Sequence, residues 1–379
     1  MSKSNKSGGR GNIVRGGRSN VSFKKSTVYT GPGSYKAKKD KGVFGSFVSI
    51  FTDGWKALDK KELASAAPIV AVFAAIGLAA VKLIPLVPVG NEAVSRMLSE
   101  LLHLAAIWIC SAVYSFVKKA APEIADTRKQ AKGMGLGLLY GLIWLGGVTS
   151  ILLMYKVLSF GKGAGSLDGL VLWVIALFAR ALMTELFAHG IVYSDLRRRF
   201  NFAVAAVYAA VVFLALNWET AVVNPYSFLT ILFASVFFSA AIENSGTFIT
   251  SITAYYIWIC VGGLILGLVC LPADYPAMLV PSFTGSVLLT GGAARIEGSL
   301  ITLVINIMFI FSFYSMWVKK YQEEHEEAEV KARRNRPVDE VDPDKVRIGG
   351  RVFPNVETHI GQKTRYADKS FMDKLKDLF

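Results

Sequence analysis

Long apolar blocks separated by short polar connections dominate the chain, at approximately residues 64–88, 95–117, 134–158, 168–195, 202–217, 226–242, 247–271 and 299–318. Several reach the ~20 residues that carry an α-helix across the hydrocarbon core of a bilayer. The pattern therefore predicts an all-α, polytopic membrane protein with about eight transmembrane helices. Ahead of the first block, Val43, Phe44, Phe47, Ile50, Phe51 and Trp55 interleave with Asp53, Lys56, Asp59 and Lys60, which suits an interfacial amphipathic helix over residues 46–62. The segment 272–298 holds Pro272, Pro276, Pro281 and several glycines, and reads as an ordered or re-entrant loop rather than a ninth span. Beyond the last block YQEEHEEAEVKARRNR continues as a charged helix, and from Pro337 a Pro/Asp/Gly-rich tail ends in short amphipathic runs. The resulting division is a basic arm over 1–45, the interfacial helix over 46–62, a transmembrane domain over 63–318 and a charged tail over 319–379.

Composition sharpens this picture. With 53% apolar and 18% charged residues, the chain has the wrong balance for a water-soluble protein of 379 residues. The formal net charge of +14 is concentrated at one end: residues 1–45 hold eleven Lys/Arg against the single acid Asp40, a net of +10. That arm is rich in Gly, Ser and Lys and cannot bury enough apolar surface to fold by itself. It lacks the short apolar core of a secretory signal, and a transit peptide is the weaker alternative. Lys24, Lys25, Lys36, Lys38, Lys39 and Lys41 are its candidate contacts to anionic headgroups at the membrane surface or to an acidic protein partner. Few stacking aromatics accompany them, so nucleic acid is the weaker partner. With the arm in the cytoplasm, Lys118, Lys119, Arg128, Lys129, Lys132, Arg197–Arg199, Lys319 and Lys320 also fall inside. Both termini are then cytoplasmic, and the expected location is a bacterial-type inner (plasma) membrane. Cys110, Cys260 and Cys270 form no CxxC pair and read as packing residues.

Ionisable side chains inside spans are where function is sought first. The fourth block carries Arg180, Glu185, His189 and Asp195. Glu185 and His189 are four residues apart, hence on one helical face, where they form either a polar clamp between helices or a carboxylate–imidazole pair able to hold a metal or act as general base. In the second block Glu100 and His103 have an ExxH spacing, but no second intramembrane ExxH completes a di-metal set. They read as side chains near the external surface reaching water, and Lys82 as a snorkelling residue.

The stretch TELFAHGIVYSDLRRRFN resembles the first motif of the CPBP family, the CAAX-protease and bacteriocin-processing membrane proteins, whose usual form is EExxxR followed by Gly, apolar residues and a basic loop. FLALN, Phe213–Asn217, is similar to the FxxxH second motif, and IENSGTFITSITAYYIW to the turn and span that carry HxxxN or HxxxD. Tyr255 stands at the histidine position, with Ile259 at or near the final amide. The resemblance spans roughly residues 165–275 and implies a CPBP-like helical core. In the family, paired glutamates and two histidines activate water for peptide cleavage, directly or through a metal. Here Glu185 remains, while Thr184 replaces its partner, His189 the arginine, Asn217 one histidine and Tyr255 the other. Asn binds and orients but is no proton-transfer base near neutral pH.

The function expected on these grounds is that of a catalytically degenerate CPBP-like protein, a structural or assembly subunit of a larger membrane complex that includes other protein subunits. No cofactor is expected. The alternative is an intramembrane endopeptidase using Glu185 and His189 as catalytic residues, with a divalent metal entering only under that reading. A small-solute transporter is weaker, because midplane charges on several spans and an internal repeat are lacking. Asn217 and Tyr255 are expected to hydrogen-bond to the Glu185–His189 pair.

Overall fold

The computed structural model describes residue 45 and residues 60–85, 87–118, 127–163, 169–271, 275–334, 346–348 and 351–353. The basic arm with its six lysines, nearly all of the expected interfacial helix and most of the charged tail lie outside the described residues. The protein is a mostly helical membrane protein with little sheet. Among the described residues five helices are long and apolar enough to cross a bilayer, and three further apolar helices, Ala67–Leu83, Phe202–Leu216 and Ile249–Ile265, are shorter. The chain divides into two compact units, Met1–Lys320 and Tyr321–Phe379.

In the first unit α1 runs over Lys60–Leu83, α2 over Glu92–Lys118 and α3 over Thr127–Met154. β1 (Leu158–Lys162) follows, then α4 (Leu170–Glu185), which passes through a π-helical stretch, Leu186–Tyr193, into α5 (Ser194–Arg199). The helices α6 (Phe202–Leu216), α7 (Trp218–Ala221), α8 (Pro225–Ser245) and α9 (Ile249–Ile257) come next, and α9 continues as a second π stretch, Trp258–Ile265. After β2 (Leu279–Phe283) and α10 (Val287–Thr290), a 3₁₀ segment Gly292–Gly298 leads into α11 (Leu300–Arg334). In the second unit β3 (Val346–Ile348) pairs antiparallel with β4 (Arg351–Phe353), with Gly349 and Gly350 between them in sequence. The charged continuation beyond Lys320 is helical to Arg334.

Two features of this architecture build the site. At 15 residues α6 is about 22 Å long, shorter than the ~30 Å hydrocarbon core. It stands in the middle of the bundle, where Ala203, Ala205, Ala206 and Ala209 are completely buried and let neighbouring helices approach closely. It ends at the half-buried Asn217. The second feature is the loop between α9 and α11. Its strand β2 pairs antiparallel with β1, from Leu158↔Phe283 to Lys162↔Leu279, so this segment is an ordered loop as its prolines and glycines suggested.

The contact of α3 with α9 rests on Gly133, Gly137 and Gly141, spaced by four on one face. A Cβ at Gly141 would lie 2.9 Å from the Ala254 carbonyl oxygen, closer than side chains pack. One turn further on, Trp144 stacks on Trp258 with ring centroids 3.7 Å apart. The outward faces carry exposed Phe116, Trp108 and Met154, the surface expected of helices solvated by lipid.

Candidate functional site

The first motif lies where α4 widens into the π stretch, a local insertion common at functional positions. Glu185 and His189 are completely buried, with His189 Nδ1 2.8 Å from Glu185 Oε2. The contact is close but off the hydrogen-bonding line, and no donor among the described residues bonds either Glu185 oxygen. The other imidazole nitrogen, Nε2, faces α8, 3.1 Å from the Ser235 carbonyl oxygen and 3.2 Å from Ser235 Oγ. Ser239 Oγ donates to the same carbonyl at 3.0 Å. Phe213 and Phe238 pack around the imidazole at centroid distances of 6.2 and 6.0 Å. The pair thus joins α4 to α8 within an aromatic shell, and Thr184 beside it is equally buried.

The second and third motif positions meet elsewhere. Tyr255 Oη donates to Asn217 Oδ1 at 2.9 Å, and Asn217 Nδ2 donates to the Phe213 carbonyl at 2.9 Å, closing the end of α6. The expectation that Asn217 and Tyr255 would bond to the Glu185–His189 pair is therefore corrected. They bond to each other, because Phe213 and Phe238 pack against both His189 and Tyr255 and separate the two polar groups, and because Ser235 occupies the free edge of the imidazole. Asn217 and Tyr255 instead line a small pocket shared with Trp144, Trp258, Thr230 and Glu297.

Glu297 comes from the 3₁₀ segment ahead of α11, outside every motif noted in the sequence. Its Oε2 accepts from the Cys270 backbone N–H at 3.0 Å and its Oε1 from Trp258 Nε1 at 3.4 Å. The available signal was its place in ARIEG, an ionisable pair beside the last apolar block. Thr230 and Ser235, on the buried face of α8, gave no signal that distinguishes them from ordinary helix-packing hydroxyls.

A further correction concerns Glu100. It does not reach water: it is completely buried and is the hub of a network. Arg180 Nη1 donates to Oε1 at 3.2 Å, Tyr275 Oη donates to the same oxygen at 3.4 Å, His103 Nδ1 lies 3.5 Å from Oε2, and Arg96 Nη1 lies 3.8 Å from Oε1. The periodicity put Glu100 and Arg180 on separate spans but could not show that α2 and α4 face each other there. Lys82 is half exposed and lies 3.5 Å from the exposed Glu219. On α5, Arg197 Nε donates to Glu243 Oε1 at 2.7 Å and Asp195 Oδ2 accepts from Tyr114 Oη at 2.7 Å, fixing the basic turn against α8 and α2.

Chemically, two arrangements differ. The Glu185–His189 pair has the residue types of a base, yet aromatic rings and Ser235 surround it. The Asn217–Tyr255 pair opens on the pocket, yet neither side chain is a proton-transfer base near neutral pH. Among the described residues no group of three or more His, Cys, Asp or Glu side chains gathers to hold a metal ion, so the set does not fit the metal that the protease reading would bring.

No curated protein and no solved structure matches the chain. Residues 166–261, about a quarter of its length, match the family model described as type II CAAX prenyl endopeptidase Rce1-like, so the segment that supplies Glu185, His189, Asn217 and Tyr255 is similar to that family.

Proposed function

We propose that this CAAX-protease-like membrane protein is catalytically degenerate and acts as a structural or assembly subunit of a membrane complex. The observation that carries this reading is the 2.9 Å hydrogen bond from Tyr255 to Asn217 at the two positions where the active family has histidines. A hydroxyl and an amide that satisfy each other are suited to holding α6 against α9, and poorly suited to moving a proton from water to a leaving amine. The enclosure of Glu185 and His189 supports the same reading, since peptide hydrolysis needs its base within reach of the attacking water. The remaining polar networks, Glu100 with Arg180 and Glu243 with Arg197, tie spans together and suit a rigid scaffold.

On this reading the basic arm, with Lys24, Lys25, Lys36, Lys38, Lys39 and Lys41, docks to anionic headgroups or to an acidic face of a partner subunit, and both termini are cytoplasmic. Purification in mild detergent at low salt should bring down a partner at fixed stoichiometry. Deleting residues 2–42 or raising salt should release it, because the attraction is screened over about 8–10 Å at physiological ionic strength. A protein that purifies alone under both conditions, while cross-linking in intact membranes also captures no partner, would refute the subunit role.

A further inference from the structure

The short helix α10 stands at the end of the bundle where α3 stops and α11 begins. α3 stops abruptly there. The Val157 N–H bonds to the Leu152 carbonyl at 3.1 Å and the Lys156 N–H to the Leu153 carbonyl at 3.0 Å, a Schellman cap in which Lys156 takes the left-handed φ of 55° usually left to glycine. The cap turns the chain into β1 and leaves Met154 and Tyr155 exposed at the rim. They continue the exposed apolar stripe of Leu139, Ile143 and Leu153 along α3, a surface of the kind that lipid solvates.

α10 is pinned beside that rim from three sides. Thr284, just ahead of it, donates its N–H to the Val157 carbonyl at 2.9 Å and its hydroxyl to the Lys156 carbonyl at 3.3 Å. Ser299, at the head of α11, donates to the Leu289 carbonyl at 2.5 Å, and Asn224 Nδ2 to the Gly291 carbonyl at 3.0 Å. Gly285 (φ 107°) and Gly291 (φ 79°) supply the left-handed turns that carry the chain out and back. The result is a one-turn knuckle level with the end of α3 and the head of α11. Thr290 is buried in it, while Val287 and Leu288 are 62% and 38% exposed. The neighbouring sheet differs: its exposed face carries Ser159, Gly161 and Ser282 around Val280, a mostly polar surface.

Two branched apolar side chains held outward on a fixed backbone, continuous with the exposed rim of α3, are not the residues of a water-facing turn. We propose that α10 is a membrane-interface anchor: Val287 and Leu288, together with Met154 and Tyr155, insert into the interfacial layer of the lipid bilayer, while the sheet of β1 and β2 stays in water. Lipid is the occupant because the patch runs on from the apolar stripe of α3. The exposed Tyr155 and Lys156 add side chains suited to headgroup level, with ring or methylenes in the apolar layer and the polar end toward water. The insertion is shallow. The first N–H groups of a one-turn helix have no helical carbonyl to bond, and water or headgroup oxygens must satisfy them, so α10 lies in the interface and not in the hydrocarbon core. Anchored in this way, the loop that leads to Glu297 is held at a fixed height on the bilayer. The inference does not depend on the subunit reading.

The test uses the full-length protein in nanodiscs of phosphatidylcholine and phosphatidylglycerol, which leave both faces open to solvent. A nitrobenzoxadiazole probe is attached to a cysteine placed at Ser286, beside the intact Val287 and Leu288, or for comparison at Ser282, with Cys110, Cys260 and Cys270 replaced by alanine. At Ser286 the emission should be blue-shifted relative to Ser282, protected from iodide, and quenched by a phospholipid carrying a nitroxide at the head of its acyl chain. Adding Val287→Ser and Leu288→Ser should restore iodide quenching to the level seen at Ser282. Equal iodide quenching at the two positions would overturn the anchor, as would a probe at Ser286 that the double serine variant leaves unchanged. Protection from iodide without quenching by the nitroxide lipid would assign the patch to a second copy or a co-purified protein, and would overturn it too. Should the cysteine-replaced protein fail to fold, the wild type in the same nanodiscs, doped with a phospholipid bearing a diazirine on its acyl chain, decides the matter. Photo-adducts are expected on Val287 or Leu288 as well as on Met154 or Tyr155, and their absence from Val287 and Leu288 overturns the proposal.

Discussion

Removing the Glu100 carboxylate is the sharpest test of how the bundle is held together. Glu100 is wholly buried between α2 and α4, and the Arg180 guanidinium is 3.2 Å away with its side chain about one-fifth exposed. At that distance, with an effective dielectric of about 20, the Coulomb attraction is on the order of 5 kcal/mol, and the desolvation of both ions offsets much of it. Truncation to alanine is a different quantity from the net worth of the pair. It strands Arg180 next to Arg96 and takes the acceptor from Tyr275, so the expected loss is about 3–5 kcal/mol. Glu100→Gln keeps a carbonyl acceptor for Arg180 and Tyr275 and should lose about half of that. Replacing both ions, as Glu100→Met with Arg180→Met, should cost less than Glu100→Met alone, because no isolated charge is left behind. Equilibrium unfolding in mixed detergent–SDS micelles, run as a double-mutant cycle, gives the coupling directly and should return at least about 2 kcal/mol. A Glu100→Ala loss under about 1 kcal/mol, or additive single and double mutants, would refute the buried-hub reasoning.

The same logic applies to the first motif: Glu185→Ala should lower stability by about 1–3 kcal/mol, Glu185→Gln by less, and Glu185→Ala/His189→Ala by less than the sum of the singles, as read by thermal unfolding in detergent. Additivity there would mean that the 2.8 Å approach carries no coupling. Gly141→Val should force α3 away from the Ala254 carbonyl and lower the unfolding midpoint by several degrees, whereas valine at Gly146, where a Cβ meets open space, should leave it nearly unchanged. Equal effects at the two glycines would remove the close-packing argument. For topology, cysteines placed at Ser19, Ser282 and Ser370 should react with an impermeant thiol reagent in intact cells only at Ser282; labelling at Ser19 would reverse the proposed orientation.

The membrane-spanning helices were legible in the sequence because a bilayer imposes length and apolarity on each one locally, without reference to its neighbours. The ordered loop was legible for a similar reason, since Pro272, Pro276 and Pro281 cannot continue a helix. The motif positions were found through spacing alone. Their partners were not, because hydrogen bonding between Asn217 and Tyr255 depends on which aromatic rings come between helices, here Phe213 and Phe238. Glu100 illustrates the limit most clearly. Its place near a helix end suggests a route to water, and only the packing of α2 on α4 shows that Arg180 takes water's place. Glu297 lies in a loop by sequence and in a pocket wall by structure, and the turn that moves it there is made by the backbone at Arg295. The π stretches at Leu186–Tyr193 and Trp258–Ile265 likewise leave no trace in apolar periodicity.

The central claim, a family-like core without the family's hydrolysis, meets its most direct test in the cleavage of a prenylated peptide ending in a CAAX sequence. The purified wild-type protein and Glu185→Gln would be compared in liposomes, with mass-spectrometric detection of the released tripeptide. The account predicts no release above the protein-free control from either protein. Release by the wild type that is lost in an equally folded Glu185→Gln would contradict the account and make Glu185 a catalytic base.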